Sequence, residues 1–309
     1  CKPASTSPDS KPTELNWQQP KLTSNVWKIS KEGQPDSYLL GTIHMGQTNQ
    51  TLSSDALKLL QSADQLTTEV DALPDSSPET KKMYQKYFKE VMSTEPLSRK
   101  LGKADFRLLQ EIYSQNEESR PIAKIADKLH PWAALVFAGS AFPQGYSSET
   151  SADMLLTNAA VNINKPRGSL ESLDEVSAIF KAPPEETMIN FLKASIKTNK
   201  EETEDVKKLH QAYSDGRFEE LIPLLEETEQ RTLKRVDTKY AKAMSDWLKN
   251  DLLIRRNQAW LPKIRKQSAK QSTIFAVGIA HLPSEKGLIE LLRQEGYRVT
   301  PEPKVLIWQ

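Results

Sequence analysis

Residues 272–281 read STIFAVGIAH, an apolar run that ends in a glycine followed three residues later by a histidine. Residues 38–44, YLLGTIH, repeat the same arrangement near the start of the chain. A short apolar run bounded by turn-forming residues predicts a buried strand. We therefore expect two strands, each followed by a Gly-x-x-His motif, at residues 41–44 and 278–281, and the sheet that contains them decides the fold.

The segments around the first motif predict its neighbours in the sheet. Residues 26–29 and 38–43 read as two strands joined by the turn-rich KEGQPDS, which is typical of a hairpin. Residues 53–63 place apolar side chains at helical spacing, and LTTEV at 66–70 reads as a strand. This strand, helix, strand order predicts direct parallel pairing of the GTIH and LTTEV strands through a right-handed crossover.

The middle of the chain is helical in pattern. Residues 74–150 are polar with breaks at prolines, and residues 184–270 carry Glu, Lys and Leu at helical spacing but no persistent heptad. Between them, residues 151–163 predict a helix, and a short strand follows Pro166. We expect an α/β (α+β) fold in a single domain over 21–309: a central mixed β-sheet covered by helices, with large helical insertions at about 74–150 and 184–270.

The last forty residues repeat the organisation of the first motif. GLIELLRQEGYRV predicts a helix that stops at Gly296, and a last strand is expected near KVLIW, residues 304–308. Because a strand ending in a Gly-x-x-His motif occurs near both ends of the chain, we expect both ends to contribute to one sheet.

Residues 1–20 differ in composition from the rest. They are rich in Ser, Pro and Lys with little to bury, which predicts a disordered tether, and Cys1 is the only cysteine in the sequence. This start resembles that of mature bacterial lipoproteins, whose first cysteine carries a lipid. The resemblance implies lipidation of Cys1 and a membrane-anchored position in the cell envelope facing the periplasm, and Lys2 favours the outer membrane. The alternative is a chain boundary that happens to fall at a cysteine.

Composition and missing motifs argue against several function classes. Lys and Arg total 42 against 41 Asp and Glu, so the formal net charge of +1 gives no reason to expect a nucleic-acid partner. No apolar run approaches the roughly 20 residues that span a bilayer. The sequence lacks a Gly-rich phosphate loop, a Gly-x-Ser-x-Gly elbow, an HExxH helix and a CxxC pair, which disfavours nucleotide, serine-hydrolase, zincin and redox chemistry.

The two histidines are the residues most suited to chemistry. If their strands are parallel neighbours, His44 and His281 meet at the carboxyl edge of the sheet, where ligands tend to bind. Imidazole suits divalent Mn, Co or Zn, but catalytic metals usually need a third protein ligand. Glu69 lies near the end of the LTTEV strand and Glu171 ends the KPRGSLE strand, and the sequence leaves open which would be a ligand and which a general base.

Five stretches, GTIHMG, TTEVD, KPRGSLES, RRNQAW and VGIAHLPSEKGLIELLRQEGYRV, together resemble the TraB/GumN family over nearly the whole body of the chain. That family includes the TIKI-type proteases acting on Wnt proteins and is described by two Gly-x-x-His motifs and acidic residues that support a divalent metal. The resemblance implies that the metal site contains His44, His281, Glu69 and Glu171.

The resemblance also implies roles for residues outside the two motifs. Arg256 and Asn257, in RRNQAW, match the family's arginine and asparagine, and the guanidinium could clamp a carboxylate or stabilise an oxyanion. Asp153 matches a further acidic position. The implied fold is a helix-covered sheet similar to that of erythromycin esterase and the haem-binding ChaN proteins.

Two functions remain open. The first is a metal-dependent hydrolase of the cell envelope, peptidase-like, with Glu69, Glu171, Arg256 and Asn257 as catalytic residues and a peptide or small-molecule substrate. The second is a non-catalytic envelope lipoprotein that binds a ligand, a metal or haem in the same cleft. Simpler readings exist as well, because strand-end carboxylates often cap helices or pair with arginines.

Overall fold

The computed structural model describes residues 22–309, so Cys1 and the tether predicted over residues 1–20 lie outside the described residues. Within the described range the chain forms eight strands. They are β1 Val26–Ser30, β2 Ser37–Thr42, β3 Gly46–Gln47, β4 Gln65–Thr68, β5 Tyr146–Ser147, β6 Arg167–Ser169, β7 Thr273–Gly278 and β8 Arg298–Pro301. Six of them make one mixed sheet in the order β6-β4-β7-β2-β1-β8, and β3 pairs with β5 separately.

Strand β7 lies in the interior of the sheet and pairs in parallel with β2 on one side and β4 on the other. Thr42 lies opposite Gly278 in this register, so the two Gly-x-x-His motifs leave the sheet side by side, as the sequence predicts. The predicted direct pairing of the GTIH and LTTEV strands is wrong, because β7 lies between them. All six residues of β7 are buried, and a strand of that kind belongs where helices cover both faces.

Both ends of the chain join the same sheet, as predicted. Strand β1 pairs antiparallel with β2 and with β8. The prediction of a last strand near KVLIW is wrong, because the final strand is Arg298–Pro301. Pro301 and Pro303 have no N–H to donate, which ends the ladder before KVLIW begins.

Helices surround the sheet and fill the predicted insertions. Helices predicted over 53–63 and 151–163 are present, and Gly296 follows the last helix with a φ of +87°. The α-helices of the described range are α1 Ser54–Ser62, α2 Pro78–Val91, α3 Leu97–Leu101, α4 Lys103–Ser114, α5 Arg120–Ile125, α6 Pro131–Gly139, α7 Ala152–Asn162, α8 Leu173–Lys181, α9 Glu185–Ser214, α10 Leu221–Leu233, α11 Thr238–Asp246, α12 Arg255–Lys270 and α13 Leu288–Gln294. A π-helical stretch, Trp247–Ile254, connects α11 to α12. No helix among residues 22–309 is both long and apolar enough to cross a bilayer.

Apolar side chains form two clusters in the described part of the chain. One surrounds the sheet and includes Leu40, Leu66 and Phe275. The other lies among the helices of the insertions and includes Leu192 and Trp247. The mixed α/β architecture therefore consists of a sheet with its own core and a helical part with another.

Gly41 allows the two histidine motifs to pack together. A methyl group at this position would lie 2.7 Å from Ile279 Cγ1 and 2.9 Å from Leu282 Cδ1, closer than real contacts allow. The Gly41 peptide is also held by hydrogen bonds, since its carbonyl oxygen accepts from the Tyr213 hydroxyl at 2.6 Å. Its N–H donates to the Asn25 carbonyl oxygen at 2.8 Å.

We expect Gly41→Ala to lower the free energy of unfolding by about 1–3 kcal/mol, the usual cost of overpacking a core. The check is a urea denaturation series. Gly139→Ala is the matched control, because no atom lies within 4 Å of the methyl group it would add. Equal effects of the two substitutions would contradict this account of Gly41.

Candidate functional site

The three parallel strands bring three predicted site residues together. His44 and Glu69 lie in the loops that follow β2 and β4, and His281 ends a 3-10 turn, Ile279–His281, after β7. A methyl group built on Gly278 would lie 3.4 Å from Glu69 Oε2, 3.4 Å from His281 Cδ2 and 3.5 Å from His44 Nε2. These three side chains thus surround one small space above Gly278.

His281 is buried, and its neighbours determine which nitrogen carries the proton. Asn257 donates its amide Nδ2 to the Lys286 carbonyl oxygen at 3.0 Å, so Asn257 Oδ1 faces His281 Nδ1, 2.7 Å away. Because that oxygen can only accept, the imidazole carries its proton on Nδ1 and leaves Nε2 with a free lone pair. Burial lowers the pKa of His281 to about 4, which keeps this ring neutral at neutral pH.

His44 has an acidic partner in the corresponding position. Its Nδ1 lies 3.5 Å from Asp153 Oδ2, and Asp153 also accepts a hydrogen bond from Thr42 at 3.0 Å. Desolvation lowers the pKa of His44, but Asp153 and Glu69 outweigh it and raise the pKa to about 9. The side chain is 66% exposed, so water in the cleft screens part of this attraction. Asp153 therefore orients the ring, with Nε2 left to face the space above Gly278.

Arg256 links the two predicted carboxylates. Its Nη2 donates to Glu69 Oε1 at 2.7 Å and also contacts Glu171 Oε1, and its Nε donates to Glu171 Oε1 at 2.9 Å. The guanidinium lies over the Trp260 ring, 4.9 Å from its centroid. One partly buried cation thus holds two carboxylates in fixed positions.

Glu69 and Glu171 have different contacts in the structure, a difference that the sequence does not predict. Glu69 lies beside the histidines and accepts the Gly278 N–H at 2.7 Å. Burial raises the pKa of Glu69, but His281, His44, Arg256 and this N–H lower it to about 2, so the group stays ionised. Glu171 contacts Arg256 rather than the histidines, and burial raises its pKa against the effect of Arg256.

Two further residues support the site and were not predicted from the sequence. Trp260 packs against His281 with ring centroids 4.4 Å apart and the rings tilted by 46°. It follows Arg256 by four residues on α12, a spacing that places both on one helix face and could have identified it. Tyr213 holds the Gly41 peptide from a distant, highly charged helix, and no local pattern indicates that contact.

A cleft of about 780 Å³ opens beside these residues. His44, Glu69, Asp153 and Arg256 contribute the charged groups of the site to its lining. Apolar side chains of α6, α8 and the π-helical stretch also line it. A molecule in the cleft could therefore touch the charged groups and an apolar surface at the same time.

The residues around Gly278 fit a divalent ion in their donor types. Two imidazole Nε2 atoms and an ionised carboxylate are ligands that Mn, Co or Zn accept. Their spacing is wider than coordination requires, because within residues 22–309 no group of three His, Cys, Asp or Glu side chains stands close enough to hold an ion. Binding an ion would require these side chains to move closer together.

A comparison with family models matches the chain to the TraB/PrgY/gumN family over residues 25–301. The chain belongs to this family. The match extends from β1 to β8 and includes every predicted site residue from His44 to His281, so the resemblance inferred from the sequence is confirmed. Neither the curated proteins nor the solved structures contain a significant match to this TraB/PrgY/gumN chain.

In this family member we expect Asp153→Asn to lower the pKa of His44 from about 9 toward its ordinary 6.5, because the substitution removes the nearest negative charge. The measurement is an NMR titration of the histidine ring protons in metal-free protein, with His44→Ala used to assign the signal. An unchanged pKa of His44 would show that Asp153 is not its main partner.

We expect Arg256→Met to lower the free energy of unfolding by about 3–5 kcal/mol at pH 7, because it leaves the buried Glu171 and the partly buried Glu69 without a cation. Without Arg256 the folded-state pKa of Glu171 would lie above its unfolded value. The loss of unfolding free energy should therefore be present at pH 7, and it should diminish as the pH falls through the folded-state pKa of Glu171.

Urea denaturation of the wild type and the Arg256→Met variant at pH 7 and pH 5 measures this difference. Adding Glu171→Gln to Arg256→Met should recover part of the loss, since one uncompensated charge is removed. A loss that is the same at both pH values, with no recovery in the double variant, would rule out this explanation.

Proposed function

We propose that the protein is a metal-dependent hydrolase in which His44, His281 and Glu69 hold a divalent ion. The convergence of two imidazole rings and an ionised carboxylate around Gly278 is the observation that carries this proposal. The cell-envelope location, the lipid on Cys1 and a peptide or small-molecule substrate stay predictions of the sequence.

Different residues of the chain position the two imidazoles and provide the anionic ligand. Asn257 and Asp153 hold the Nδ1 sides of the two imidazoles, so that both Nε2 atoms stay available. Glu69 remains ionised at neutral pH, which suits an anionic ligand better than a proton acceptor. A divalent ion bound here would supply Lewis acidity and lower the pKa of bound water.

Arg256 is positioned to stabilise charge that develops on the substrate. Its Nη1 donates one hydrogen bond, to the Leu252 carbonyl oxygen at 3.3 Å, and carries a second hydrogen available to a substrate. Hydrolysis adds the water oxygen to the carbonyl carbon, breaks the bond to the leaving group and transfers a water proton to that group. The guanidinium would stabilise the oxyanion formed between these events.

One observation favours a non-catalytic binding protein as the second candidate. Both oxygens of Glu69 already accept hydrogen bonds, from Arg256 and from the Gly278 N–H. Both oxygens of Glu171 accept from Arg256. A site whose carboxylates are all engaged could hold an ion or ligand, such as haem, without activating water.

The test combines metal analysis with turnover. We expect purified protein supplied with Mn, Co or Zn to retain about one ion per chain by plasma mass spectrometry. It should hydrolyse amide or ester substrates in a chelator-sensitive way. His44→Ala and His281→Ala should each lower metal affinity by at least about tenfold and abolish turnover.

His130→Ala is the matched control, because His130 lies outside the residues around Gly278 and should leave metal content and turnover unchanged. Metal binding without cleavage of any substrate would favour the binding protein. No metal under any condition, or equal loss in His130→Ala, would refute the proposed site.

A further inference from the structure

One part of the cleft lining, which we call the helical wall, is apolar. Six aliphatic or aromatic side chains from α6, α8 and the π-helical stretch line it, and each is only half-buried in the folded chain. They are Leu135, Val136, Val176, Phe180, Leu248 and Leu252. Half-buried apolar side chains that share one cleft gain free energy when a ligand covers them.

This wall is poorly suited to the backbone of a peptide. Its residues are helical, so their N–H groups donate within their own helices, as Val176 does to Ser172. The indole N–H of Trp247, which also lines the cleft, donates to the Ile179 carbonyl oxygen at 3.0 Å. The carbonyl oxygens of an extended peptide would therefore meet no donor along this wall and would lose their hydrogen bonds to water.

The charged groups of the lining come from other elements, namely the loops after β2 and β4, α7 and the start of α12; they are His44, Glu69, Asp71, Asp153 and Arg256. His44 and Glu69 border the space above Gly278, Asp153 lies beside His44, and Arg256 donates to Glu69. A ligand that matches both the charged groups and the helical wall has one polar, hydrolysable end and one apolar end without hydrogen-bonding groups.

We propose that the substrate is an amide or ester of a linear acyl chain, with the chain along the helical wall and the carbonyl group at Arg256. This inference rests on the proposed hydrolase function and names its substrate class. Water adds to the acyl carbonyl carbon, the bond to the amine or alcohol breaks, and a water proton leaves with that group. The products are a fatty acid and a free amine or alcohol.

Binding and turnover are measured separately. Calorimetry with neutral N-acyl glycinamides of about four to about twelve carbons should give an affinity that rises about two- to fourfold per added methylene. An uncharged tripeptide of leucines, which has similar apolar surface, should bind more weakly than the longest acyl probe. An affinity that does not change with the length of the acyl chain would overturn the proposal. Tighter binding of the leucine tripeptide than of the longest acyl probe would also overturn it.

Two leucine substitutions make a matched pair. Leu248→Asn places an amide on the wall. It should lower the affinity for the longest probe by about tenfold and leave the affinity for the shortest probe unchanged. Leu108→Asn makes the same change on α4, outside the cleft, where Leu108 is 40% exposed, and should have no effect. Equal effects of the two variants would show that the acyl chain of the probe binds outside the helical wall.

Cleavage of acyl p-nitroanilides with added Mn, Co or Zn separates this inference from the proposed function. Chain-length-dependent binding without cleavage under any metal would refute the hydrolase and leave the acyl site standing. Cleavage that is equally efficient for acetyl and long-chain substrates would leave the hydrolase standing and refute the acyl site.

Discussion

Parallel pairing of β2 with β7 is the contact on which the candidate site depends. It joins segments more than two hundred residues apart and sets Thr42 opposite Gly278, so that two histidines leave the sheet at one edge. The close approach at Gly41 then determines how the turn after β7 packs. Every later feature, including the position of Asn257 against His281, follows from this register.

Local patterns in the sequence identified five strands of the main sheet, many of the helices and the residues that lie together at the site. They succeeded because each depends on a few adjacent residues, as in the repeated Gly-x-x-His motif. The strand order could not be predicted in full, since the position of β7 between β2 and β4 reflects competition for the most buried place in the sheet. The apolar KVLIW pattern predicts a strand there, but Pro301 and Pro303 before it end the pairing of β8 with β1.

The sequence pattern also does not predict that Glu69 and Glu171 occupy different environments. Both follow strands, and only the guanidinium of Arg256, contributed by a helix far along the chain, distinguishes them. The π-helical stretch before α12 sets the direction in which that guanidinium emerges, because a π-turn shifts the phase of all residues after it. Such a shift is a property of the packed helix rather than of a local residue pattern.

The outermost strands of the sheet have a consequence for how molecules of this protein meet each other. Unpaired strand edges invite pairing with another chain and are a common origin of aggregation. Here the edges are β6, with three residues, and β8, with four residues and a terminal proline. They offer few free N–H and C=O groups, so the long, apolar β7 remains enclosed between strands that discourage intermolecular sheet growth.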